Sequence, residues 1–156
     1  MIDEEEMKVI KRNGKAEIIA FDKILNRVKK KGNEANLNLN YGAFVMKVID
    51  QLYDGIHTSK IDELAAEHSA SLSLQHPDYM TLAGRLIVSN HHKNTDESFY
   101  TCIKKLYNFK DKNNKHSPLV SENLWNITKN NKDFLQKLLN FERDYLIDYF
   151  GFKTLE

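Results

Sequence analysis

The sequence is poor in residues that form covalent or metal cross-links. Its 156 residues include one cysteine, Cys102, which excludes an internal disulfide and a cysteine-based metal cluster. The six histidines lack the spacing of metal ligands, and His91 and His92 are adjacent, so they point in different directions on a helix. We therefore predict no metal site. Cys102 lies in an apolar helical stripe, and we expect a buried structural thiol there.

An excess of one charge and long apolar runs are also missing. There are 23 basic and 22 acidic residues, giving a net charge of +1, whereas nucleic-acid binders usually carry a basic excess. No apolar run is long enough to cross a bilayer. The acidic start, residues 1–6, is unlike a secretory signal or an Arg-rich transit peptide. These features predict a cytoplasmic protein that binds neither nucleic acid nor membrane.

Signatures of catalysis are missing as well. The sequence has no nucleophile elbow, no P-loop and no Gly-x-Gly-x-x-Gly motif. We therefore expect no catalytic residue in this chain.

The hydrophobic residues that are present, 41% of the chain, are sufficient for a packed core. Residues 8–12 and 15–19 have the composition of short strands, and they flank Asn13-Gly14. Asn-Gly between two such runs is a strong hairpin signal, because both residues tolerate the positive φ of a type I′ turn. The chain is therefore expected to open with a β-hairpin.

Apolar residues at helical spacing predict seven helices after the hairpin. Asp22 is expected to cap the first helix, which ends near Gly32, and Gly55 is expected to stop the second. The later helices are expected to begin at residues 41, 58 or 59, 77, 95, 117 and 133. The predicted fold class is mainly α (α+β), with one hairpin followed by helices.

Lys11 and Arg12 lie beside the predicted turn, and this pair suggests a first hypothesis about function. A hairpin over helix N-termini can hold a nucleotide, because backbone N–H groups and lysines bind phosphates while a carboxylate accepts from adenine or ribose. The residues alone leave an alternative open. The cations can simply be solvated, and Asp22, Thr58 and Asp62 can serve only as helix caps.

An ordered set of motifs carries a family resemblance over nearly the whole chain. The motifs are Val9-Ile10-Lys11-Arg12-Asn13-Gly14, Phe21-Asp22-Lys23-Ile24, residues 52–58, 64–67, 76–79, 82–90, 115–118 and 143–145, and Tyr149-Phe150-Gly151-Phe152-Lys153-Thr154-Leu155-Glu156. The set resembles the N-terminal ATP-cone and adjoining helical region of the large subunit of eukaryotic-type class I ribonucleoside-diphosphate reductase. Asn13 and Gly84 depart from the family's usual Asp and Ala, and Gly84 marks either a helix weakened by about 1 kcal/mol or a place of close packing.

The resemblance implies two regions. Residues 1–94 would form the ATP-cone, a hairpin lid over four helices. Residues 95–156 would begin the helical N-terminal domain and stop before the catalytic barrel. The aromatic end at residues 149–156 fits a chain cut within a larger fold.

The resemblance also implies an allosteric site for ATP, an activator, or dATP, an inhibitor, with Mg²⁺. Lys11, Lys23 and Lys93 would contact phosphates, Asp22 would read the adenine edge, and Asp62 would contact the ribose region. The implied site comprises Lys11, Arg12, Glu17, Ile18, Ile19, Ala20, Phe21, Asp22, Lys23, Thr58, Asp62 and Lys93.

The implied parent protein is an oxidoreductase that reduces ribonucleotides to deoxyribonucleotides for DNA synthesis. This chain would be inactive alone. Its implied partners are the remainder of the large subunit, the radical-generating small subunit, and other copies that assemble through the cone with dATP.

Three alternatives compete with this interpretation. A degenerate cone could act only as a helical protein-interaction module. A transcription regulator with an ATP-cone would need a Cys-rich zinc ribbon, which a single cysteine does not provide. A helical nucleic-acid binder conflicts with the near-zero net charge.

Overall fold

A computed structural model describes residues 6–156; most of the acidic start therefore lies outside the described residues. The strands are β1 (Lys8–Ile10), β2 (Ala16–Ile18) and β3 (Ile56–His57). The helices are α1 (Phe21–Asn33), α2 (Tyr41–Ile49), α3 (Thr58–Ser71), α4 (Asp78–Asn94), α5 (Phe99–Tyr107), α6 (Glu122–Asn130), α7 (Lys132–Leu138) and α8 (Tyr149–Leu155), with a 3₁₀ helix at Phe141–Leu146. The predicted mainly α fold with a small β element is confirmed.

The chain divides into two compact units. The first contains the described residues up to Asn94 together with Asp144–Glu156, and the second is Thr95–Arg143. Residues 144–156 therefore pack with the first unit, although the sequence grouped them with residues 95–143. The physical reason is the burial of Phe152 in the core of the first unit.

The sheet has the strand order β2-β1-β3. β1 pairs antiparallel with β2, placing Val9 opposite Glu17, and parallel with β3, placing Val9 opposite Ile56. The predicted hairpin is present. β3 was not predicted, because two residues are too few to show an alternating pattern.

The turn of the hairpin differs from the predicted type I′. Lys11 N–H donates to the carbonyl of Lys15 at 2.8 Å, and Gly14 N–H donates to the carbonyl of Lys11 at 2.9 Å. Gly14 has φ +80°, whereas Asn13 lies outside the positive-φ region. The loop therefore has three residues and closes through a left-handed glycine, a standard alternative to the two-residue turn. This geometry places Arg12 inside the loop.

Helix starts were the least accurate predictions. α1 begins after Ala20, so Asp22 lies within the first turn and is not the cap. α5 is capped by the Ser98 hydroxyl and α6 by the Ser121 hydroxyl, where Thr95 and Ser117 were expected. In both cases two candidate caps lie within a few residues, and tertiary packing selects one of them.

The end of α2 also differs from expectation, and one helix was not predicted. α2 ends at Ile49, and Gly55, with φ +76°, lies in the turn that leads into β3. The sequence missed α8, which is capped by the Asp148 carboxylate accepting from Gly151 N–H at 2.7 Å.

The core of the first unit lies between α1, α2, α3, α4 and α8. Its buried apolar residues are Val28, Phe44, Val45, Val48, Ala65, Ala66, Leu82, Leu86, Ile87, Val88 and Phe152. A smaller cluster of Val9, Ile56 and Ile61 joins the sheet to α3. The sheet is thus attached to the helices by its own apolar contacts, and the three-residue loop at residues 12–14 lies beyond these contacts.

The second unit is built around a stack of aromatic rings. Trp125 stacks on Tyr100 and Tyr107, with ring centroids 5.6 and 5.3 Å apart. Ile103 is the buried residue of α5, and Cys102 on its flank is exposed. The expectation of a buried thiol is therefore wrong, because the buried stripe of α5 is centred on Ile103. None of the helices in the described part of the chain is long and apolar enough to cross a membrane.

Candidate functional site

The first unit contains a cavity of about 480 Å³ beside the hairpin loop. This volume lies within the range of small-molecule sites. Its walls are formed by Lys11, Arg12, Asn13, Glu17, Lys23, Ile24, Arg27, Val28, Thr58, Ile61, Asp62, Ala65 and Lys93. Five of these side chains are basic and two are acidic, so the cavity carries an excess of positive charge.

Several short elements place these side chains together. The hairpin supplies Lys11 and Arg12 at the end of β1. α1 presents Lys23 and Arg27, four residues apart and therefore on one face. α3 contributes Thr58 as its first residue and Asp62 one turn later. The cavity thus receives charged groups from elements that are distant in sequence.

One wall of the cavity is apolar. Ile24 and Val28 of α1 face Ile61 and Ala65 of α3. Each pair is four residues apart on its helix, so it forms a continuous apolar strip. A strip of this kind suits the face of a ring, while the basic groups suit a polyanion.

Asp62 is the most strongly contacted acid of the cavity. Only 7% of the residue is exposed. Arg27 binds it in bidentate fashion, with Nε to Oδ1 at 2.7 Å and Nη2 to Oδ2 at 3.0 Å. Arg12 Nη2 lies 3.2 Å and Lys93 Nζ 3.7 Å from Oδ2. A single carboxylate therefore holds three cations at one point.

Arg12 also connects the hairpin loop to α4. Its Nε donates to Asn94 Oδ1 at 2.8 Å, and its Nη2 donates to Asn90 Oδ1. Asn90 and Asn94 are one helical turn apart, so both face the loop. The Arg12 guanidinium consequently contacts α3 and α4 at the same time.

Lys93 has a shifted pKa. It is lowered from 10.5 to about 8: burial is the main cause, the charge of Asp62 opposes it, and the positive charges of Arg27, Arg12 and Lys31 contribute to the lowering. The ammonium lies in the cavity wall although 41% of the side chain is exposed. A nearby anion would favour the charged form of this lysine.

The rim of the cavity carries one further ion pair. Lys11 Nζ lies 3.2 Å from Glu17 Oε2, across the hairpin, and both side chains are partly exposed. An exposed pair of this kind contributes little to stability. Lys11 is therefore free to exchange Glu17 for another anion at small cost.

The structure brings together seven of the residues that the resemblance assigned to the site. These are Lys11, Arg12, Glu17, Lys23, Thr58, Asp62 and Lys93, which all line the cavity. The other five, Ile18, Ile19, Ala20, Phe21 and Asp22, lie outside the cavity walls. Ile19 packs on the small apolar cluster of the sheet, and Ile18 is 57% exposed.

Sequence reasoning missed Arg27, Asn90 and Asn94. Arg27 follows Lys23 by four residues, and this spacing alone could have indicated a shared face. Asn90 and Asn94 have the same four-residue spacing, but the spacing does not single them out, because the chain contains many asparagines. Their position beside Arg12 depends on the packing of α4 against the hairpin loop.

The start of α3 adds backbone donors to the site. Its N-cap residue, His57, makes no capping hydrogen bond through its side chain within the described part of the chain. Backbone N–H groups at a helix N-terminus attract anions, and Thr58 adds a hydroxyl there. Among the described residues, no three His, Cys, Asp or Glu side chains are grouped so that they could hold a metal ion.

The fold and the cavity together define a small helical module with a cation-lined pocket beneath a β-hairpin. The family model described as "ATP cone domain" matches residues 7–94, more than half of the chain. The chain therefore belongs to the ATP-cone family.

Curated relatives extend the similarity beyond the cone. The chain is 43% identical over 150 residues to a ribonucleoside-diphosphate reductase large subunit of Caenorhabditis elegans, covering 95% of this chain and 19% of that protein. It is 44% identical over 152 residues to that of Vaccinia virus, covering 96% and 20%, and 41% identical over 160 residues to that of Arabidopsis thaliana, covering 96% and 19%. The chain thus resembles the N-terminal region of these subunits and spans about a fifth of their length.

Proposed function

We propose that this chain is the allosteric region of a ribonucleoside-diphosphate reductase large subunit and binds ATP or dATP in the cavity under the hairpin. The observation that carries the proposal is the cluster of cations around Asp62. Five basic side chains converge on one pocket that also has an apolar wall. A nucleoside triphosphate combines a polyanion with a flat ring, so it matches both surfaces.

The phosphates are expected to replace protein anions at the rim. Lys11 would exchange Glu17 for a phosphate oxygen, and Lys23 lies on the same wall. Thr58 and the N-terminus of α3 would donate to the same group. Charge-assisted hydrogen bonds of this kind are stronger than neutral ones, so they would contribute strongly to the affinity.

The base and ribose would lie along the apolar strip of Ile24, Val28 and Ile61, with the ribose towards Asp62 and the adenine edge towards the start of α1. Asp22 keeps its proposed contact with the adenine edge, and its position outside the cavity walls requires the base to reach the rim near the start of α1.

Asp62 is proposed to distinguish the two effectors. ATP and dATP differ by one ribose hydroxyl, and a single hydroxyl changes affinity only modestly in a tolerant pocket. A ligand hydroxyl near Asp62 would instead compete with Arg12, Arg27 and Lys93 for the carboxylate. Each nucleotide would then favour a different arrangement of these cations, which provides the two states that an allosteric switch requires.

Mg²⁺ is proposed to accompany the nucleotide. Mg²⁺ is usually held by one or two carboxylates, water and the phosphates of a substrate. Among the wall residues, Glu17 at the rim is the carboxylate best placed to approach such a complex, because it is partly exposed and its partner Lys11 can exchange. The ion would neutralise part of the phosphate charge.

The remaining proposals concern the whole protein. The parent enzyme would reduce ribonucleotides to deoxyribonucleotides for DNA synthesis in the cytoplasm, together with a radical-generating small subunit. Occupancy of the cone by dATP would promote assembly of large subunits and inhibit the enzyme. The similarity to reductase large subunits supports these roles.

Isothermal titration calorimetry with ATP and dATP tests the binding proposal directly. We expect both nucleotides to bind the chain at micromolar concentration. Asp62→Asn should change the ratio of the two dissociation constants by about fivefold or more, because it removes the charge that the cations share. Glu67→Gln, an exposed change on the same helix, is the matched control and should leave the ratio unchanged.

Absence of heat with either nucleotide would reject the proposal. It would favour the competing interpretation, a degenerate cone that serves only as a helical interaction module.

A further inference from the structure

The tip of the hairpin is attached to the helices mainly through one side chain. β1 and β2 have three residues each, and isolated hairpins of this size are marginally stable. The small cluster around Val9 holds the base of the sheet, whereas the loop lies beyond it. Arg12 extends from this loop to Asp62 on α3 and to Asn90 and Asn94 on α4.

The two asparagines are unequal partners. Asn90 is 3% exposed, so its amide oxygen would lose a hydrogen bond in a buried place if Arg12 left. Asn94 is the last residue of α4 and accepts from Arg12 Nε at 2.8 Å in an exposed position. Together they fix both the Nε and the Nη2 edge of the guanidinium.

Both acceptors are neutral, and this property matters for an anion site. A carboxylate at either position would hold Arg12 and also cancel its charge. An amide oxygen holds the guanidinium by hydrogen bonding and leaves its charge available to a phosphate. Arginine has five N–H donors, so Arg12 can keep both amides while it exchanges Asp62 for a ligand oxygen.

We infer that Asn90 and Asn94 are positioning residues for nucleotide binding, because they hold Arg12, and with it the hairpin loop, over the cavity without neutralising its charge. The inference rests on the proposed function, and it adds two residues that do not line the cavity themselves. They act through Arg12.

The test uses calorimetry with ATP and hydrogen exchange on the whole chain without nucleotide. Asn94→Ala and Asn90→Ala should each weaken ATP binding about fivefold and speed exchange of the loop amides of Lys11 and Gly14 about threefold or more. Asn26→Ala, an exposed asparagine of α1, is the matched control and should change neither quantity.

Asn94→Asp separates positioning from a merely structural role. It provides a stronger acceptor for Arg12, so the loop amides should exchange as slowly as in the wild type or more slowly. It also neutralises the guanidinium, so ATP affinity should still fall about fivefold. If Asn94 had a purely structural role, ATP affinity and the protection of the loop amides from exchange would rise or fall together.

A double-mutant cycle completes the test. In an Arg12→Ala background, Asn94→Ala should have no further effect on ATP affinity, because its partner is gone. The inference is overturned if the effect persists in that background, or if both alanine variants leave loop exchange unchanged. Because Asn94 is exposed, we expect Asn94→Ala to fold, and this variant tests the inference even if Asn90→Ala does not fold.

Failure of the proposed function gives a different result. If the wild-type chain binds no nucleotide, the proposed function and the nucleotide role of both asparagines fail together. If the wild type binds and the variants behave like Asn26→Ala, the inference alone fails.

Discussion

At the scale of a single residue, Asp62 determines how the positive charges of the cavity are arranged. It is nearly buried, and its carboxylate contacts Arg12, Arg27 and Lys93. Without it, three positive charges would face one another in a partly desolvated place, which is costly. Its side chain therefore determines how closely the cations approach, and any ligand group that binds Asp62 changes their arrangement.

Lys93 should make nucleotide affinity depend on pH. Its pKa of about 8 reflects burial first, which Asp62 opposes, and then the charges of Arg27 and Arg12, which lower it. A bound triphosphate favours the ammonium, so affinity should fall as pH rises from about 7.5 to about 9. Calorimetry at several pH values measures this slope. Lys93→Arg stays charged and should abolish it; an unchanged slope in that variant would contradict the assignment.

The lowered pKa of Lys93 also makes the free energy of unfolding depend on pH, in the direction opposite to that of nucleotide affinity. The pKa of a lysine in an unfolded chain is about 10.4, so between about pH 8 and that value the unfolded state binds more protons than the folded one. The contribution of Lys93 to the free energy of unfolding therefore rises with pH in this window. Binding and stability should thus respond to alkaline pH in opposite directions.

At the scale of an element, α4 is the helix that several parts of the first unit contact. Its last turn carries Asn90, Lys93 and Asn94 toward the site, while the ring of His91 meets Phe152 with centroids 5.3 Å apart. Earlier in the helix, Gly84 lies against the segment before α8. A Cβ at this position would be 3.1 Å from the carbonyl oxygen of Ile147.

Gly84→Ala should destabilise the chain even though alanine favours helices. The close neighbours are backbone atoms of Ile147 and Asp148, which cannot move as easily as a side-chain tip. We expect a loss of about 1 kcal/mol by chemical denaturation, after the gain in helix propensity is included. Gly42→Ala, where the added methyl meets only Asn40 at 3.7 Å, should instead be neutral or stabilising by up to about 1 kcal/mol. Equal effects at both sites would refute close packing at Gly84.

At the scale of the whole molecule, the first unit extends beyond the residues that the ATP-cone family model matches. The ATP-cone match ends at residue 94, yet residues 144–156 belong to the same compact unit. Tyr145 lies beneath Arg85, whose guanidinium carbon is 4.3 Å from the ring centroid, and His92 contacts Asp144 at 2.7 Å. The end of the chain is thus a structural part of the unit that holds the cavity.

Two neighbouring phenylalanines test this organisation. Phe152 is 9% exposed and packs in the main core, whereas Phe150 is 59% exposed. Phe152→Ala should reduce the free energy of unfolding by about 3 kcal/mol and weaken nucleotide binding through α4. Phe150→Ala should cost less than about 1 kcal/mol. Thermal unfolding followed by circular dichroism compares them, and similar losses would show that α8 is not part of the core.

Local patterns in the sequence were sufficient to predict the fold class and the family. Apolar spacing predicted most helices, because a helix buries one face whatever its neighbours are. Asn13-Gly14 predicted the hairpin, although the structure uses a three-residue loop. Seven of the twelve site residues implied by the ordered motifs line one cavity in the structure, whereas Phe21 and Asp22 are among those outside its walls.

Features that depend on distant contacts could not be predicted in this way. Whether Ser98 or Thr95 caps α5, whether Cys102 is exposed, and where residues 144–156 pack are decided by neighbours far away in the sequence. The two-residue strand β3 is stabilised by its pairing with β1 rather than by its own pattern.

The sequence by itself thus determined a mainly α chain of the ATP-cone family with basic residues near a hairpin. Only the tertiary structure decided that Asp62 gathers Arg12, Arg27 and Lys93, and that Asn90 and Asn94 hold Arg12. Helix periodicity is a local property of a chain, whereas these contacts join the hairpin, α1, α3 and α4. Their geometry exists only when the elements pack around a common core.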